Sequence, residues 1–214
     1  MTIRDWALAR MIAHGSDAQA MGRAGIEVHR TNEPSVTVGF PEPANQPFGF
    51  EDLERFQDEL PGLEAVVLIK RDLQFGVFEE GRARGIAVSE FGHFRSSLAE
   101  SHIGDFISRE HAYVRSRMSR FREVMGIELV GLDAWRVLRS SALPALILQT
   151  HDRYEFTDDE LWLLLDKNRD MNPDIMLITN PNAHGVSRRV RDSATSIDVE
   201  VLTLDDMRSR LSRR

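Results

Sequence analysis

The sequence predicts an α/β fold written twice: two tandem repeats of an α-β-β-(β)-α-β-α-β-α module, each a mixed sheet flanked by helices. Three observations carry this. Two short apolar runs, AVVLI at 65–69 and IMLIT at 175–179, follow a proline and precede polar residues, as buried central strands do. Helix-like and strand-like segments alternate after an opening pair of strands, which implies antiparallel pairing first and βαβ crossovers afterwards. Finally, fragments of the first half return in order in the second.

The recurrences are specific. GIEV at 25–28 returns as GIEL at 126–129, and FGFEDL at 48–53 as FTDDEL at 156–161. PGLEAVVLI at 61–69 resembles PDIMLI at 173–178, and Gly76-Val77 returns as Gly185-Val186. IAVSEFGHFRSSL at 86–98 lies without a gap on VEVLTLDDMRSRL at 199–211. This divides the chain into a first module at 1–100 and a second at 105–214, with AESHIGDFIS at 99–108 as the linker and Gly104 as its break.

Each module opens with a helix, expected over about 3–22 and about 106–124. In the second, Phe106, Tyr113, Met118, Phe121 and Met125 approximate a helical apolar face. Gly25 and Gly126 stand where a helix C-terminus favours glycine. Strands follow at 26–30 and 35–40, and at 127–132, 134–139 and 145–150, with Pro144 between two of them. Thr157 and Glu160 form a capping box for the next helix, where Asp158 and Asp159 suit the positive helix end. The central strand, another helix, a short strand (86–88, 198–202) and a terminal helix complete each module.

Of the 214 residues, 42% are apolar and 29% charged, which fits a globular chain. No cysteine is present, so disulfides and thiolate zinc sites are excluded. The N-terminal TIRDWALARMIAHG scatters charges through its apolar residues, and no run nears a membrane span. A soluble cytoplasmic protein with no membrane partner is expected. The net charge of -7 argues against wholesale polyanion binding, but it is uneven: residues 1–104 carry 10 Lys/Arg against 16 Asp/Glu. Lys70 and Lys167 are the only lysines, so any lysine-dependent chemistry has two candidates.

The segments LILQTHD (146–152), DDELWLLL, DIMLITNPNAHGVSRRVRDSA, VEVLTL and DDMRSRL follow one another in an order that resembles the restriction-endonuclease-like fold. This is the PD-(D/E)XK superfamily, and the wording is similar to its Mrr-type branch in type IV restriction enzymes. The resemblance covers most of 106–211 and, through the duplication, 3–98. It implies carboxylates around a Mg or Mn ion and a lysine beside the attacking water. Gln149 then takes the acid-or-Gln position, His151 stands where the family keeps lysine, and Asp133 is the candidate metal aspartate of the preceding strand. An imidazole is a poor replacement for a fixed ammonium. The first module's corresponding strand, SVTVGFPE, has no acid-x-lysine, and Leu68 and Leu165 precede the two lysines where an acid is needed. The resemblance therefore implies a degenerate tandem, with Asp133, Gln149 and His151 catalytic only if activity survives, and with no cofactor otherwise.

Other candidates are weaker. NPNAHGVSRR at 180–189 places Asn180, Asn182 and His184 before a helix bearing Arg188, Arg189 and Arg191, a possible phosphate cradle without any Walker sequence. Arg115 and Arg122, with those arginines and the tail RSRLSRR, form a candidate nucleic-acid patch diluted by Glu110, Glu123, Asp205 and Asp206. Otherwise these are a plain turn and a solvated helix face. The remaining histidines share no metal-ligand spacing, and Trp6, Trp135 and Trp162 read as core. Three functions remain open: a non-catalytic nuclease-fold protein binding DNA or a protein partner, a divergent metal-dependent endonuclease, or a protein-interaction scaffold.

Overall fold

The computed structural model describes residues 1–140, 143–167, 170–183 and 185–213. Two compact units divide at Ile107/Ser108. The first runs α1 (Ile3–Ala13), β1 (Asp17–Met21), β2 (Gly25–His29), β3 (Val36–Gly39), α2 (Phe50–Glu59), β4 (Leu63–Leu68), α3 (Val77–Ala83), β5 (Ala87–Glu90) and α4 (Phe91–Ser97), followed by a 3-10 turn at Ile103–Asp105. The second runs α5 (Arg109–Met118), β6 (Val124–Leu129), β7 (Ala134–Arg139), β8 (Leu146–His151), α6 (Asp158–Lys167), β9 (Ile175–Ile178), α7 (Arg188–Thr195), β10 (Glu200–Thr203) and α8 (Met207–Leu211).

Both units have the same sheet. Strands lie in the order β1-β2-β3-β4-β5 and β6-β7-β8-β9-β10. The first three of each form an antiparallel meander, and the last two join in parallel. The helices that make the parallel crossovers, α2 and α3 or α6 and α7, cover one sheet face. The opening and closing helices cover the other. Ala7 and Met11 of α1 and Phe94 of α4 pack on Ile26, Val38 and Val67, while Val114 and Met118 of α5 and Met207 and Leu211 of α8 pack on Trp135, Leu148 and Leu177. Side chains alternate across each strand, so Met176 and Ile178 of β9 enter a separate core with Leu161 of α6 and Val190 of α7.

Local chemistry starts the helices. Thr2 and Asp5 form a capping box on α1, and the Ser108 and Ser187 hydroxyls accept from the third helical N–H of α5 and α7. The predicted box before α6 is present: Thr157 N–H donates to Glu160 at 2.9 Å, and Glu160 N–H donates to the Thr157 hydroxyl at 3.2 Å.

The registers align the two units residue by residue. Gly25 pairs with Gly39 in the first, and Ala134 with Gln149 in the second. Phe40 N–H donates to Ala24 O at 2.8 Å, as Thr150 N–H does to Asp133 O at 2.9 Å. Ala24, Gly39 and Pro41 thus occupy the places of Asp133, Gln149 and His151. A second shared device closes each repeat. Arg30, just past β2, donates Nε to Pro34 O and Nη1 to Glu100 O, at 2.8 and 2.7 Å. Arg139, at the end of β7, donates Nε to Pro144 O and Nη1 to Arg213 O, at 2.8 and 2.5 Å. Each guanidinium ties the second hairpin of the meander to the chain leaving the last helix.

Several expectations need correction. The first helix ends at Ala13 rather than near 22, because Gly15 (φ +84°) breaks it, and residues 17–21 form β1. Both units therefore have three meander strands. Its counterpart α5 spans Arg109–Met118, not 106–124, and Met125 lies exposed in β6. Gly25 and Gly126 sit in strands β2 and β6 instead of at helix ends, and those strands are not equivalent, so the GIEV/GIEL match is accidental. Gly25 and Gly39 serve packing: a Cβ on either would strike Leu60 or Phe56 of the α2 end. Ile103, expected in the linker, is buried in the first core. Among the described residues, no helix is long and apolar enough to cross a membrane.

Candidate functional site

β8 runs from the buried Leu146 to His151, and its alternation fixes where each candidate side chain goes. Leu148 enters the core beneath α5 and α8. Gln149 and His151, one residue out of phase with it, therefore point to the opposite face. Their β9 register partners, Met176 and Ile178, belong to the core beneath α6 and α7. The His151 ring stacks edge-on against Phe156 at 4.9 Å, its Nε2 lies 3.2 Å from Glu155 O, and Glu160 of α6 is 4.0 Å away. Gln149 is buried and donates from Nε2 to Thr150 O.

Asp133 faces the other way. It precedes β7 in phase with Trp135, whose ring is fully buried under α5. Its Oδ1 lies 3.6 Å from Nε2 of His111, and His111 stacks edge-on to Trp135 at 5.4 Å. Asp152, in phase with Leu148, joins the same side, where it hydrogen-bonds the Glu110 carboxyl at the start of α5. Partial desolvation pushes Glu110 above the usual carboxylate range; Asp152 and Asp133 push it the same way, and His111 opposes them. Asp133, Gln149 and His151 are thus not brought together as one site: the sheet separates the aspartate from the other two. What converges is Glu110, His111, Asp133 and Asp152.

Neither Glu110 nor His111 belongs to a sequence motif that marks it as a partner of this cluster. Their signal is positional: they are the first-turn residues of the helix packed over the start of β7, which only the sheet order reveals.

The fit to a divalent metal is poor. Among the described residues, no group of three His, Asp or Glu side chains is close enough to hold a metal ion. The lysine position carries His151, already engaged by Phe156 and the 155 carbonyl.

The candidate arginines also divide. Arg115 and Arg122 belong to α5 and its exit, on the α5/α8 face; Arg188, Arg189 and Arg191 belong to α7, on the opposite face. All five are exposed. Arg188 pairs with Asp192 at 3.7 Å and Arg189 with Asp158 at 3.5 Å. In the turn before α7, Asn180 Nδ2 donates to Asp152 O and Asn182 N–H donates to Asn180 Oδ1, while Ser187 caps the helix. These groups are spent on the turn itself. His184 lies outside the described residues. Trp135 is core in the second unit as expected and Trp6 packs at the margin of the first unit's core, whereas Trp162 on α6 is nearly half exposed.

Comparison with family models, curated proteins and solved structures finds no match to this chain.

Proposed function

We propose that the chain is a tandem of two degenerate nuclease-like modules that binds DNA without cleaving it. The observation that carries this reading is the separation of Asp133 from Gln149 and His151 by the sheet. A metal-dependent phosphodiesterase needs its metal ligands and its water-orienting group around one scissile phosphate. The first unit supports the same reading, since Ala24, Gly39 and Pro41 at the equivalent places offer no ligand. The meander-plus-crossover topology is compatible with the resemblance read in LILQTHD and the segments after it.

The test is incubation of the purified chain with labelled single- and double-stranded DNA, with and without Mn²⁺, across a salt series. Salt-sensitive binding without cleavage is the expected result. Metal-dependent cleavage lost in Asp133→Ala would revive the divergent endonuclease. Neither binding nor cleavage would leave a protein-interaction scaffold.

A further inference from the structure

The two units carry the same fold but not the same charge. Met1–Ile107 holds 10 Lys/Arg against 17 Asp/Glu, and Ser108–Arg214 holds 17 against 17. The difference concentrates at one end of the second unit. There the α5-to-β6 connection (119–123) and the last segment (208–214) contain six arginines and one acid, Glu123. The corresponding segments of the first unit, 14–16 and 95–101, contain one arginine, Arg95, and one acid, Glu100.

The fold holds these two arginine segments together. Ser140 N–H, just past β7, donates to Glu123 O at 2.8 Å, and the neighbouring Arg139 clamps Arg213 O. Arg122 hydrogen-bonds the Glu123 carboxylate and holds it below its usual range, with Arg208 adding a smaller pull in the same direction. Arg122, Arg208 and Arg213 are all exposed, as is Arg120. Arg210 is the exception, turned inward to pair with Glu200. This pole lies at the end of the sheet where β7 finishes and β8 begins, opposite the carboxylates Asp133 and Asp152, which stand at the other ends of those strands.

We infer that the second unit grips the phosphate backbone of duplex DNA through this pole, with Arg122, Arg208 and Arg213 as its contacts. This rests on the DNA-binding reading above and places it at the end of the sheet opposite His151 and Asp152. Exposed guanidiniums laid against a phosphate backbone gain most of their affinity by releasing counterions. The α7 arginines are the weaker alternative: Asp158 and Asp192 pair with two of those three, whereas in the pole Glu123 pairs with Arg122 alone and, among the described residues, no carboxylate pairs with Arg208 or Arg213.

The experiment uses the full chain, a fluorescent 20-base-pair duplex as probe, and a salt series. The variants are R122A/R208A/R213A, the same three positions changed to lysine, and R188A/R189A/R191A. Only the Arg213 backbone serves the Arg139 clamp, so the side-chain changes leave that contact in place. The pole-to-alanine variant is expected to bind more than tenfold more weakly, with a salt slope shallower by about three. The lysine variant should retain most binding, and the α7 variant should stay within about threefold of the parent. Parent-like binding by the pole-to-alanine variant, with loss in the α7 variant, overturns this inference alone. A parent chain that binds no duplex overturns the DNA-binding reading as well. Capture on phosphatidylserine vesicles without duplex binding would reassign the pole to an anionic membrane surface and overturn it too.

Discussion

The carboxyl of Glu110 is held among like charges at the start of α5. It stands beside Asp152 and Asp133, with His111 opposing them, and desolvation and those two carboxyls raise its pKa from an ordinary value near 4.5. A carboxyl raised in the folded state binds its proton more tightly there than in the unfolded chain. Its contribution is whole below the unfolded value and is lost as pH rises through the folded one. Glu110→Gln keeps a hydrogen-bond donor toward Asp152 but cannot ionise. The variant should therefore be more stable than the parent at pH 7 and equal to it near pH 4, as read from urea midpoints at the two pH values. Equal midpoints at both pH values would mean that Glu110 is too well solvated to feel its neighbours. At this scale the sequence was half legible. LILQTHD reads as a strand ending in polar groups, as β8 is, but alternation sends its Gln149 and His151 to one face and Asp133 to the other, and the register that decides this is set by β7 and β8 jointly. No single segment encodes it.

Between elements, the repeat is held by the paired arginine clamps. Arg139 is buried, and its guanidinium serves three carbonyls, those of Pro144, Leu211 and Arg213. Desolvation and the nearby Arg210 lower its pKa, with Asp174 opposing, so the site bears a charge balanced largely by carbonyl dipoles. Arg139→Ala strands those carbonyls and should cost roughly 1.5–3 kcal/mol, measured by chemical denaturation. Arg30→Ala, at a half-buried copy of the same clamp, should cost less, about 1 kcal/mol. Lysine should rescue neither, since it lacks the fork that reaches two carbonyls from one planar group. A loss under 0.5 kcal/mol at Arg139, set against the hydrogen-bond scale, would show the clamp to be incidental. The duplication itself was legible where packing repeats: Ile86, Val88, Phe94 and Leu98 match Val199, Val201, Met207 and Leu211 because both sets close the sheet's last strand and helix. β1 was illegible because DAQAM is short, mostly exposed and rich in helix formers, so it read as a continuation of α1. An edge strand with one pairing partner, β2, needs little apolar alternation of its own.

For the molecule as a whole, each unit owns a full sheet with helices on both faces and cores closed within its own span. A domain of about 100 residues with that organisation is large enough to fold alone. Met1–Ile107 and Ser108–Arg214, made as separate polypeptides, should each unfold cooperatively in urea, with slopes on the order of 1–2 kcal/mol/M. Their salt responses should differ. The first unit carries 17 acids against 10 basic residues and repels itself, so raising ionic strength from 10 to 200 mM, across which the Debye length falls from about 30 to about 7 Å, should raise its urea midpoint. The second is balanced at 17 against 17, and its arginine pole is offset by acids elsewhere in the unit, so its midpoint should move less. Gradual unfolding of either fragment, or dye binding typical of a loosened core, would show that the repeat is a topological unit without being a folding unit. Cooperative unfolding of both, with the salt response confined to the acidic half, would place the functional divergence of the two copies in surface charge laid over one shared scaffold.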